Sequence, residues 1–240
     1  ILAGMIEKNA KKGGIPMICI KNGTLHTADQ KNTFIADILI DGGKICKRSV
    51  RISLRKAPSD RCHRSSVYPG FVEAHCHIGL DGYGIGYEGH DYNELNDPVT
   101  PQVQAIDGIN PFDPCMKMAA KAGLPASQPV QAAPNSIGGT FAAIKPVGTR
   151  VDNMIVKFPV AMNALSVKPE TLHQKQGISS RMTNAAKIRE ALNKAKVYKA
   201  KIELPVMSLQ AFRLTDQKSE ALIPVLNHEI PLKAHAHQAN

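Results

Sequence analysis

Two histidines one residue apart, His75 and His77, are the side chains of this sequence best placed for chemistry. They stand in the string Pro69-Gly-Phe-Val-Glu-Ala-His-Cys-His-Ile-Gly79, which reads as a strand opened by a proline-glycine turn. Successive side chains on a strand face opposite sides, so His75 and His77 face one way and Cys76 the other. Two imidazoles about 6–7 Å apart along a strand can converge on one cation. Neutral imidazole binds zinc and also suits iron and nickel. A catalytic zinc takes three protein ligands and keeps a position open for water, which it turns into a nucleophile near neutral pH. His235 and His237 repeat the spacing and share one face of another candidate strand. His90, with Glu88 and Asp91, lies in a polar, glycine-rich stretch from Gly79 to Pro114. A stretch of that length is usually functional or disordered, and these three residues are candidates for substrate contact. A bare His-x-His is more often two histidines that merely alternate, and His26, His63, His173 and His228 have no supporting context.

The elements that must position these groups are legible in outline. Met17–Thr24 and Ala36–Ile45 are short, isoleucine-rich and closed by Asn-Gly and Gly-Gly turns, as in a small β unit. Tyr68–Ala74 is a third strand, and Cys115–Ala122 is a short helix ended by Gly123. Thr140–Ile144 and Asn153–Lys157 are further strands. Thr183 to about Lys201 is the clearest helix, capped by Thr183, with Ala185, Ile188, Leu192 and Ala195 on one face. Glu220–Leu226 is a short helix and Ile230–His237 a closing strand. Strands separated by helices predict an α/β fold built on a parallel sheet.

Composition narrows the function classes. No apolar run approaches the ~18–20 residues of a membrane-spanning helix, so the reading is a soluble chain without a membrane partner. Five cysteines, without a Cys-x-x-Cys pair, argue against a disulfide framework and fit a reducing cytoplasm. The net charge of +10 raises the question of nucleic acid. Seven basic residues lie between Lys47 and Arg64 against Asp60 alone, without interleaved aromatics, so a solvated segment is favoured over a basic nucleic-acid-binding module.

The extended string around His75 and His77 resembles the end of the first barrel strand in the amidohydrolase superfamily. Met17–Gly43 is similar to that family's opening β segment. Gly138-Gly-Thr-Phe-Ala-Ala-Ile-Lys145, Asp152-Asn-Met-Ile-Val-Lys157 and Pro231-Leu-Lys-Ala-His-Ala-His237 resemble its imidazolonepropionase-related branch. The resemblance implies a partial (β/α)8 TIM-type barrel over residues 67–240, preceded by strands of a small β-sandwich over 17–66. It implies a divalent metal, zinc first with iron or manganese as alternatives, held by His75, His77 and His235, with His237 facing substrate. The implied reaction is hydrolysis of a C–N bond in a small linear or cyclic amide by a metal-bound hydroxide. Lys145 and Arg150 are candidates for meeting a substrate carboxylate. A homo-oligomer is compatible with this reading.

The sequence also departs from the family pattern. A later-strand aspartate, the expected proton acceptor, would lie beyond residue 240, so the expectation is a fragment of a chain near ~400 residues. Where some relatives carry a bridging lysine, this chain has Asn163. The segment Gly123–Pro134 carries three prolines, which predicts a poor barrel strand. Segments 47–66, 123–134 and 164–176 read as foreign to their surroundings, as compensating frameshifts would leave them. An inactive remnant that keeps the metal-binding strand is therefore the alternative to an active enzyme.

Overall fold

The computed structural model describes residues 17–29, 33–52, 59–61, 65–94, 96–130, 135–165, 180–203 and 215–235. The chain divides into two compact units, Ile1–Phe71 and Val72–Asn240.

In the first unit, β1 (Ile18–Leu25), β2 (Phe34–Asp41) and β3 (Lys44–Ser49) form an antiparallel meander. The short strands β4 (Ser59–Arg61) and β5 (Ser66–Val67) pair parallel to β1. Gly42 and Gly43, with φ of 55° and 77°, make the two-residue turn between β2 and β3, where both residues need positive φ. The Asn22-Gly23 pair does not close a strand as expected. It is a bulge within β1, with Ile20 opposite Ile38 but Gly23 opposite Ala36. The extra residue changes the phase of alternation, so Leu25 joins Ile18 and Ile20 in the buried cluster with Ala36 and Ile38. The Asp37 carboxylate fixes the bulge by accepting from the Asn22 N–H at 2.8 Å and the Ile52 N–H at 2.7 Å. Lys47, Arg48 and Arg51 are exposed, as a solvated segment requires.

In the second unit, β6 (Val72–Cys76), β7 (Ala126–Pro129), β9 (Ala143–Ile144) and β10 (Ile155–Lys157) form one sheet in the order β10-β9-β7-β6. Strands β8 (Ile137–Thr140), β11 (Met162–Leu165) and β12 (Leu232–His235) form another, with β11 central. The β6–β7 and β11–β12 pairs are parallel, and helices lie in both intervening segments, as a β/α chain predicts. The β7–β9, β9–β10 and β8–β11 pairs are antiparallel, so the described strands are mixed in direction.

Several boundaries differ from the sequence expectation. The third strand runs over Val72–Cys76 instead of Tyr68–Ala74, and the region 137–144 holds two short strands. Residues 126–129 are a strand despite the prolines of this segment. Pro125 precedes it and Pro129 is its last residue, and the next N–H, of Val130, donates to Cys76 O at 3.1 Å. The helix α1 (Ala105–Gly108) and the cap of α2 (Pro114–Lys121) sit within and beside the glycine-rich stretch. Asp113 accepts from the Cys115 N–H at 2.8 Å, and Pro114 occupies the first turn, where its missing N–H costs nothing. A short helical turn, α3 (Val151–Met154), leads into β10. Helix α4 (Arg181–Glu203) begins earlier than expected, and Ser180 Oγ accepts from the Thr183 N–H at 3.2 Å, making Ser180 the capping residue. Helix α5 (Gln217–Leu226) is capped by Asp216. Ile188, Leu192 and Ala195 of α4 and Leu222 of α5 pack with Ile137 and Met162 of the β8–β11 pair. No described helix is long and apolar enough to cross a membrane.

Candidate metal centre

Strand β6 ends at Cys76, so His75 projects from its last turn of pleat and His77 from the first residue beyond it. The His75 and His77 ring centroids are 5.4 Å apart and nearly perpendicular. His235, the last residue of β12, brings its ring to 4.8 Å from that of His75. The two strands belong to different sheets, so sequence positions far apart converge on His75.

These spacings can be compared with what a shared ion requires. With metal–nitrogen bonds of about 2.0–2.1 Å, each imidazole centroid lies about 3.2 Å from the ion, and two at a tetrahedral angle stand about 5 Å apart. The observed 5.4 and 4.8 Å bracket that value. The tautomer also suits a ligand. His77 Nδ1 lies 2.7 Å from Val130 O, a contact that requires Nδ1–H to donate and leaves Nε2 with its lone pair. Burial first, then the neighbouring His235, His77 and Lys233, push the His75 imidazole down to about 4, so it is neutral at pH 7. In kind and in pairwise spacing the residues suit a divalent ion, and His75 is neutral at pH 7. Convergence is incomplete: among the described residues, no group of three or more His, Cys, Asp and Glu side chains is set to hold a metal as it stands.

Cys76 faces away, and burial raises its thiol, so it is not a ready thiolate ligand. The Glu73 carboxylate accepts from the His75 N–H at 3.0 Å and thereby tethers the backbone beside the first histidine. Lys233, two residues before His235, was not singled out in the sequence. Its ammonium donates to Ala74 O at 2.6 Å and to Gln128 Oε1, and sits 4.2 Å from the Phe141 ring centroid. Phe141 in turn lies edge-on to His75 at 5.4 Å. Lys233 thus ties the strand of His235 to that of His75. Its same-face spacing from His235 was the available signal. Asn163 is buried on β11 opposite Lys233.

The loop candidates separate. His90 Nδ1 lies 3.3 Å from the Tyr92 hydroxyl, and its Nε2 lies 3.5 Å from Asp81. The Tyr92 ring stacks on His77 with centroids 4.9 Å apart, so His90 reaches the histidine cluster through Tyr92. Burial and a hydrogen bond to Asp81 raise the Tyr92 phenol. Asp91 lines a cavity of about 450 Å³ with Tyr92, Glu94, Gln102 and Asp107. Glu88 is exposed on a single 3-10 turn, Tyr87–Gly89. Arg150 pairs with Asp152 at 3.0 Å, and Lys145 is exposed. His237 lies outside the described residues. Tyr92 and Asp81 had no sequence signal, because the loop that carries them has no periodicity.

No family model matches the chain. Over 117 residues, 47% of this chain, it is 29% identical to the amidohydrolase tasK of Hapsidospora irregularis, of which it covers 12%. The crystal structure of an amidohydrolase from Thermotoga maritima MSB8 superposes with a TM-score of 0.84 and 35% identity, over 92% of this chain and 58% of that one. The chain therefore spans little of the curated relative and somewhat over half of the solved one. Both of these relatives bear the name amidohydrolase, and the chain is similar to them over these spans.

Proposed function

We propose that this chain carries the metal-binding part of a metal-dependent amidohydrolase that cleaves a C–N bond, other than a peptide bond, in a small linear or cyclic amide. The observation that supports this most is the approach of two imidazoles from different strands to His75, with ring centroids 5.4 Å away for His77 and 4.8 Å away for His235, pairwise spacings that two ligands of one ion would have. His75, His77 and His235 would hold the ion, zinc before iron or manganese. When bound, such an ion polarises a carbonyl oxygen and acidifies a coordinated water. The chain's own residues prepare for it. Val130 O fixes the His77 tautomer, burial keeps His75 neutral, and Lys233 ties β12 to β6. The partial (β/α)8 barrel, the sandwich built on residues 17–66, the imidazolonepropionase-related branch and a cytoplasmic setting belong to the same proposal.

Metal analysis and a hydrolysis assay test it together. The purified protein should carry about one or two equivalents of divalent metal and release ammonia or an amine from some member of a panel of cyclic and linear amides. The His75→Ala/His77→Ala variant should lose both. A metal-free wild type that gains nothing from added zinc would refute the proposal, as would metal content unchanged in the double variant.

A further inference from the structure

The long loop after β6 does more than cover the core, and its consequence falls on one candidate ligand. Tyr92 is anchored on three sides. Its ring packs against the buried cluster of Leu80, Ile109, Met116, Ala142, Ile144 and Met154. Its backbone is held by the neighbouring Asp91 N–H, which donates to Leu80 O at 2.8 Å. Its hydroxyl stands 3.3 Å from His90 Nδ1, and His90 Nε2 lies 3.5 Å from the Asp81 carboxylate. The ring so fixed lies almost parallel to His77, with an interplanar angle of 18° and centroids 4.9 Å apart.

His77 needs such support. It follows the last residue of β6, where its carbonyl accepts from the Leu80 and Asp81 N–H groups at 2.9 and 3.1 Å while its ring stands beyond the strand. Its ring is tethered through Nδ1–H to Val130 O at 2.7 Å. A single hydrogen bond leaves the imidazole free to swing about the bond axis. A flat ring stacked on one face removes that freedom. Groups that orient a metal ligand without touching the metal commonly change affinity 10–100-fold when removed.

We infer that Asp81, His90 and Tyr92 form a positioning unit that holds the His77 imidazole in the orientation a metal ligand requires. This rests on the reading of His77 as a ligand. It gives His90 a role different from the substrate contact expected from its place in the loop. Tyr92 supplies the flat surface, and His90 and Asp81 stop its ring from sliding along His77.

The test measures zinc affinity of the full chain by competition with a chromophoric chelator, together with the visible absorption of the cobalt-substituted protein. Tyr92→Leu removes ring and hydroxyl, and is expected to weaken zinc about tenfold or more and to alter the intensity of the cobalt bands. Tyr92→Phe keeps the ring and should recover most of that loss, ending within about threefold of wild type; His90→Ala, which frees the hydroxyl, should match Tyr92→Phe. Should Tyr92→Leu fail to fold, the paired results for Tyr92→Phe and His90→Ala decide, through a matching change in the cobalt spectrum. Wild-type affinity and spectrum in every folded variant would overturn this inference alone. A wild type that binds no zinc would overturn it along with the functional proposal.

Discussion

Protonation of His75 should destabilise the metal-free protein in a definite pH window. The imidazole sits at about 4 in the folded chain, against an ordinary 6.5, with burial as the largest cause. A histidine depressed on folding binds its proton more readily when unfolded. Stability is therefore fully present above about pH 6.5 and falls as pH drops toward 4, where both states are protonated. The full gap would correspond to about 3 kcal/mol, since one pH unit is about 1.4 kcal/mol. His75 is partly exposed, and solvent screening reduces the expected loss to about 1–2 kcal/mol. Denaturant titrations in chelator at pH 7.5, 6, 5 and 4 measure it, with His75→Gln as the control that cannot titrate. The difference in unfolding free energy between wild type and variant should change by about 1–2 kcal/mol across the window, in the direction that makes wild type relatively worse at pH 4. Parallel profiles would refute the argument that burial keeps His75 neutral.

Two further perturbations test how the units are built. Asp37→Ala strands the N–H groups of Asn22 and Ile52 at the β1 bulge and should cost about 2–4 kcal/mol, seen as a lower denaturation midpoint; Asp37→Asn, which keeps an acceptor, should cost less. A Cβ at Gly139 would stand 2.3 Å from Val103 O, where backbone must move, so Gly139→Ala should destabilise by about 1–3 kcal/mol on the same measurement.

What the sequence disclosed follows from how local each cause is. The alternation of Ile18 and Ile20, and of Ile38 and Ile40, marked β1 and β2, and Gly42-Gly43 marked the turn from β2 to β3, because a strand face and a positive φ are written into neighbouring residues. Asn22-Gly23 misled for the same reason: the pair favours a turn locally, and it is Asp37, fifteen residues away, that makes it a bulge. The prolines around residues 126–129 looked incompatible with a strand until their positions at its ends were known. In the candidate site, His75 and His77 were legible from strand alternation, and His235 through resemblance. Tyr92, Asp81, Val130 and Lys233 were not. Each acts across contacts between segments distant in sequence, and the loop of Tyr92 carries no period that would have pointed to it.

The proposed activity requires that His75, His77 and His235 share one ion. X-ray absorption at the zinc edge of the zinc-loaded protein tests this directly. Three imidazole nitrogens at about 2.0–2.1 Å are predicted, falling to two in His235→Ala. A spectrum without imidazole scattering, or one that the His235→Ala substitution leaves unchanged, would contradict it.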